Sequence, residues 1–176
     1  MVKKIYKALV ISLLVIFSFS TLYAQEAEVP VEAITWYNFE EGIYAALAES
    51  KDIIIDFYTD WCHWCHEMDK TTFADTSVIS YMSDNFIAIR VNAESVTTNV
   101  TFKGTTLNLR QLTTAFGIKG FPSYAFLTED AEIITVVPGY LPKELFLNIL
   151  KYIDQQCYDR QISFEQFVEK QGECKD

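Results

Sequence analysis

The chain is predicted to be an α/β protein, a mixed central β-sheet flanked by helices. Three observations carry that prediction. Apolar runs of strand length, above all Ile53-Ile54-Ile55-Asp56-Phe57-Tyr58, alternate with stretches whose apolar residues recur every three or four positions. Two later runs, Ser123 to Leu127 and Ile133 to Val137, are separated only by a turn at Thr128-Glu129-Asp130, which makes them a hairpin. Once a leader is set aside, 152 residues remain, enough for one compact domain and little more.

The leader is read from the first 24 residues. Lys3, Lys4 and Lys7 precede an apolar run from Ala8 to Phe19, and Ala24 suits the last position before a cleavage. This is the layout of a signal peptide over residues 1–24, and the run is short for a membrane span. An uncleaved anchor is the alternative. Residues 25–32 form a short leader to the domain.

The elements follow in order. Ala33 to Trp36 is a candidate first strand, and Asn38 with Glu41 three positions on is a helix N-cap. Phe39, Ile43, Ala46 and Leu47 fall on one helical face. Ile53 to Tyr58 reads as a buried strand because its apolar character is continuous. A helix opens at the Cys62/Cys65 pair and runs towards Thr71. Asp75 caps another helix, with Val78, Ile79 and Met82 inward, and Phe86 to Val91 is a second central strand. Residues 95–106 are polar, with Lys103-Gly104 as a turn, and read as an inserted hairpin or loop. Leu109, Leu112 and Phe116 mark a helix stopped by Gly117. Pro142 suits the first turn of a closing helix carrying Leu145, Phe146, Ile149, Leu150 and Ile153. Ser163 and Gln166 begin a short last helix with Phe164, Phe167 and Val168.

Charge narrows the functions. Without the leader the chain has 11 basic and 24 acidic residues, a net charge of −13. Such a surface repels phosphate backbones and anionic lipid, so no nucleic acid is expected as a partner. Export also suits four cysteines, because disulfides persist outside the cytosol.

The chemistry concentrates in Trp61-Cys62-His63-Trp64-Cys65-His66, directly after the buried strand. Two thiols three positions apart at a helix start can close or open a disulfide, and the helix N-terminus favours the thiolate. Cys62, nearest that terminus and expected to be the more exposed, is the candidate nucleophile, and Cys65 the resolving thiol. Asp56 is an acid in an apolar strand; burial raises its pKa, fitting it to take the proton Cys65 must lose. His63 can stabilise the Cys62 thiolate, and His66 either does likewise or is an exposed helix residue. Trp61 and Trp64 read as a hydrophobic rim for a substrate protein, or Trp61 as core. The same letters spell the c-type haem pattern, with Cys62 and Cys65 as thioethers and His66 as axial ligand. A metal site from Cys62, Cys65, His63 and His66 is a further alternative, disfavoured because four ligands on one helical turn cannot converge tetrahedrally.

From about Ala33 to Gln156 the chain resembles the thioredoxin superfamily. Asp56 stands six residues before Cys62, Trp61 precedes the first thiol, Arg90 lies where the family often has Lys, and Gly120-Phe121-Pro122-Ser123 matches its cis-proline loop. Asp60 to His66, followed by Phe73, Asp75, Val78 and Asn92, is similar to exported thioredoxin-like modules, among them the domain that ends the transmembrane thiol-disulfide interchange proteins. His63-Trp64 replaces the usual Gly-Pro.

The resemblance implies a thioredoxin-like fold over residues 33–157, an insertion at about 95–106 and a helical tail over 158–176. It implies a redox-active disulfide with no other cofactor and no metal. Phe121 and the cis Pro122 would, with Trp64, bind an incoming peptide strand. The partners implied are proteins with thiols or disulfides and a separate redox partner, served by an exported monomer, periplasmic or secreted. A non-catalytic binding module on the same fold is the rival. Cys157 and Cys174 are expected to form a structural disulfide that ties down the tail.

Overall fold

The computed structural model describes residues 33–174; the expected signal peptide and leader lie outside the described residues. Strand β1 is Trp36–Tyr37. It is shorter than the expected Ala33–Trp36 and sits later. The side chain of Asn38 accepts the Glu41 amide and starts helix α1, Phe39–Glu49, directly behind it. Phe39, Gly42 and Ala46 form the buried stripe of α1. Leu47, expected inward, is 55% exposed, because one further residue turns it about 100° past Ala46.

Strand β2 is Asp52–Tyr58 and leads through a tight turn to helix α2, His63–Lys70. Helix α3, Thr76–Asn85, is capped by Asp75, and strand β3 is Phe86–Asn92. The polar segment forms a true hairpin, β4 (Asn99–Phe102) and β5 (Thr105–Asn108), turning at Lys103 and Gly104 with positive φ at both. It runs straight into helix α4, Leu109–Ala115, through a capping box of Asn108 and Gln111. Strands β6 (Ser123–Leu127) and β7 (Ile133–Pro138) make the expected antiparallel pair. Helix α5 is Lys143–Asp154, followed by a 3-10 turn at Cys157–Arg160 and helix α6, Phe164–Glu169. Leu145, expected on the apolar stripe, is 39% exposed, since Phe146, Ile149, Leu150 and Ile153 fill the contact of α5; Phe167 is the buried residue of α6.

The main sheet has the order β1-β3-β2-β6-β7, with β1, β3 and β2 parallel and β6 and β7 antiparallel to their neighbours. Side chains alternate across it. Ile53, Ile55 and Phe57 face α1, α4 and Val100 of the hairpin, in one apolar layer. Ile54 faces the other layer, with Met68 of α2, Val78 and Met82 of α3 and the buried face of α5. By the same alternation Asp56, next but one to Ile54, points under α2. A sheet with helices on both faces is the expected α/β architecture, and the hairpin is part of its core rather than an appendage. Phe102 packs edge-on to Phe39 and tilted against Phe116, with centroids 5.8 and 5.1 Å apart.

Candidate active site

The turn after β2 is built from short-range bonds. The Cys62 amide donates to the Thr59 carbonyl at 3.1 Å, which brings the chain round into α2. Cys62 is the N-cap of α2, and its Sγ accepts the Cys65 amide at 3.1 Å. A sulfur in that position faces the unsatisfied amides and the positive end of the helix, where negative charge is favoured. Cys62 and Cys65 are joined as a disulfide, with Cα atoms 5.3 Å apart. The expected difference in exposure is absent in this oxidised pair, which is 4% and 3% exposed. The capping position, not accessibility, distinguishes Cys62.

Asp56 is buried, and its carboxylate is asymmetric. Arg90, paired with it in register on β3, donates to Oδ2 through Nε at 3.0 Å, and its Nη2 makes an ion pair with the same oxygen at 2.9 Å. Oδ1 has no hydrogen-bond partner among the described residues. Burial pushes the carboxyl up to about 6, Arg90 pulls it down, and the charge of Asp69 pushes it further up. Arg90 also bridges to Asp69 on α2, so one guanidinium ties the helix carrying the thiols to the central strand. Its planar group lies over the rings of Trp36 and Tyr58, at 4.7 and 5.1 Å.

The aromatic residues form a rim. Trp61 is 68% exposed and Trp64 53%, so Trp61 is not a core residue. Trp61 Nε1 donates to Glu94 Oε2 at 2.9 Å, and its ring meets Phe121 edge-on at 6.2 Å. That contact brings the Phe121-Pro122 loop against Trp61, the residue before the first thiol. The Phe121–Pro122 peptide bond is cis. The Pro122 carbonyl accepts the Gly139 amide at 2.8 Å, and Ser123 Oγ donates to the Gly120 carbonyl at 2.8 Å. Trp64 packs against Tyr140 at 5.4 Å, and His63 sits edge-on to Trp64. His66 is turned back, with Nε2 at 2.9 Å from the Asp60 carbonyl, and braces the turn from outside.

Cys157 and Cys174 stand apart from this site. Their Cα atoms are 5.7 Å apart, within disulfide reach, in a small apolar cluster with Ile162 and Phe167. Sequence reasoning missed Glu94, Asp69, Tyr140 and Tyr124 around the site. Glu94, Tyr140 and Tyr124 have no local signal, because each arrives from a segment placed by sheet order, and Asp69, on α2 itself, is marked only by the Arg90 that β3 brings to it.

Residues 39–154 match the thioredoxin-like domain family. The chain belongs to that family. A thiol:disulfide interchange protein DsbD from Pseudoalteromonas atlantica is 32% identical over 112 residues, 62% of this chain and 17% of that protein. An uncharacterised protein of Caenorhabditis elegans is 31% identical over 112 residues, 63% of this chain and 14% of that protein. The chain therefore spans less than a fifth of the length of these curated relatives. Among solved structures, a thioredoxin from Thermus thermophilus is similar with a TM-score of 0.57 at 22% identity, covering 69% of this chain and 88% of that one. That likeness is one of fold. The thioredoxin-like family accounts for the strand-turn-helix that carries the Cys pair and for the mixed sheet beneath it.

Proposed function

We propose that the protein is an exported thiol-disulfide oxidoreductase that exchanges disulfides with partner proteins through Cys62 and Cys65. The observation that carries this reading is the Cys62–Cys65 disulfide at the positive end of α2, above a buried acid with one free oxygen. In the reduced protein the Cys62 thiolate, held by the Cys65 amide, attacks a partner disulfide. One partner sulfur leaves as a thiolate and a mixed disulfide forms on Cys62. Cys65 then gives its proton to Asp56 Oδ1, attacks Cys62 Sγ and expels the second partner sulfur. Two electrons pass to the partner, and the site ends as the disulfide. The reverse sequence oxidises a partner, and the couple's potential against its donor decides which runs.

Trp61, Trp64, Phe121 and Pro122 supply the surface on which the partner strand would lie, with backbone pairing along the cis-proline loop. Cys157–Cys174 is read as a structural cross-link with no part in exchange. The export reading rests on the leader over residues 1–24. Haem attachment is less favoured, since the Cys pair follows a buried strand and lies over a mixed sheet.

The test is reduction of insulin by dithiothreitol. Turnover should depend on the protein and vanish in Cys62→Ser, whereas Cys65→Ser should accumulate the mixed disulfide. A wild-type protein no faster than the Cys62→Ser variant would leave only a binding module.

A further inference from the structure

Three buried side-chain oxygens among the described residues lack a hydrogen-bond partner: Asp56 Oδ1, Thr59 Oγ1 and Tyr124 Oη. Two of them belong to neighbours. Asp56 on β2 and Tyr124 on β6 are directly opposite in the antiparallel register, on the sheet face that packs under α2. Residues so paired hold their Cβ atoms about 4.5–5.5 Å apart. Tyr124 is fully buried, and its ring is held by Phe73 and Phe146, with centroids 6.0 and 5.7 Å away. Phenylalanine would fill the same space without stranding a hydroxyl in an apolar layer.

We propose that Tyr124 is a positioning residue for Asp56: the two oxygens are not bonded to each other in this oxidised structure, and in the reduced site the hydroxyl bonds Oδ1, the oxygen that Arg90 leaves free. The inference rests on Asp56 being the acceptor of the Cys65 proton. A hydroxyl both donates and accepts, so it serves either state of the acid. Before transfer, Tyr124 Oη donates to the Oδ1 carboxylate. The proton then leaves Cys65 Sγ and ends on Oδ1, and the new acid donates to Tyr124 Oη. The phenol stays neutral throughout. Its pKa is held far above the ordinary range by burial first and then by the charge of Asp56, with Arg90 opposing and Asp69 and Tyr140 adding to the rise. Those four residues, from β2, β3, α2 and the segment after β7, are the titratable groups that act on it.

The experiment uses the reduced protein and its Tyr124→Phe variant. Donation to a carboxylate is the stronger of the two bonds, so the hydroxyl favours the charged acid. Its removal should raise the Asp56 carboxyl midpoint, followed by NMR, by about half to one pH unit. The pH profile for resolving the mixed disulfide should move up equally. An unchanged midpoint overturns the proposal, even if thermal stability changes, since a merely packing role would alter only the latter. A midpoint that moves without the profile following upholds the Tyr124–Asp56 link and removes Asp56 as the base. If Tyr124→Phe fails to fold, the ring Cζ shift of Tyr124 in the unmodified reduced protein must titrate with Asp56, and a flat shift overturns the link.

Discussion

Asp56 links stability and chemistry in one side chain. Its carboxyl titrates at about 6 in the folded chain against an ordinary 3.8, chiefly through burial. Below about pH 4 both folded and unfolded chains carry the neutral acid. As pH rises to about 6 the unfolded chain ionises while the folded one keeps its proton, so stability is lost across that window. A rise of that size corresponds to about 2–3 kcal/mol. Asp56→Asn should therefore be more stable than wild type by roughly 2 kcal/mol at pH 7 in urea melts, with no gain at pH 3.5. The same variant should slow single-turnover resolution of the mixed disulfide at neutral pH; an unchanged rate would remove the base role. Asp52, half-buried at the far end of β2, also titrates at about 6, so the comparison must be variant against wild type rather than a single curve. His63 lies between the thiols, exposed and free of the brace that holds His66 to Asp60. His63→Ala should raise the Cys62 thiol pKa by about half a pH unit, read from the pH dependence of alkylation. A thiol pKa that stays put excludes tuning by His63.

Helix α1 and strand β3 meet where only glycine fits. A Cβ on Gly42 would clash with Cγ1 and Cδ1 of Ile89 and lie 3.3 Å from the Tyr37 Cβ. Ile89 is fully buried in β3, so its side chain could shift only by disturbing the packed layer around it. Gly42→Ala should thus cost about 1–3 kcal/mol despite the better helix propensity of alanine. Its redox rate should be unaltered at temperatures where it is folded, since α1 lies on the face of the sheet away from the thiols. A variant as stable as wild type in thermal melts would show that the two elements can move apart. The β4–β5 hairpin is likewise decided by what packs against it. Its polar sequence reads as a hairpin or a loop, and in the structure alternate residues Val100 and Phe102 point inward while Asn99 and Thr101 remain outside. Four-residue strands give too short a period to separate from loop in sequence, and the partner that buries Val100 is supplied by other elements.

Across the molecule, two cysteine pairs have opposite placements. Cys62–Cys65 lies at a helix terminus with exposed aromatics around it, whereas Cys157 and Cys174 close the tail onto α5 among buried apolar groups. Replacing Cys157 and Cys174 together by Ser should lower stability by about 3 kcal/mol, as expected for cross-linking a segment of this length, and leave insulin reduction unchanged in rate. Equal melting temperatures for variant and wild type would mean the tail is held by packing alone. The thiol pair, its buried acid, the order of strands and helices and the final hairpin were all legible in the chain, because each depends on neighbours a few residues away: periodicity, caps, turns and a three-residue spacing are local physics. The cis-proline loop was legible only through resemblance. Sharing of Arg90 between Asp56 and Asp69, the Trp61–Glu94 bond, the pairing of Asp56 with Tyr124 and the outward turn of Leu47 were not legible. Each depends on which strand lies beside which and on how far a helix rotates against the sheet. Those are settled by the summed packing of two apolar layers, and no short stretch of sequence contains that sum.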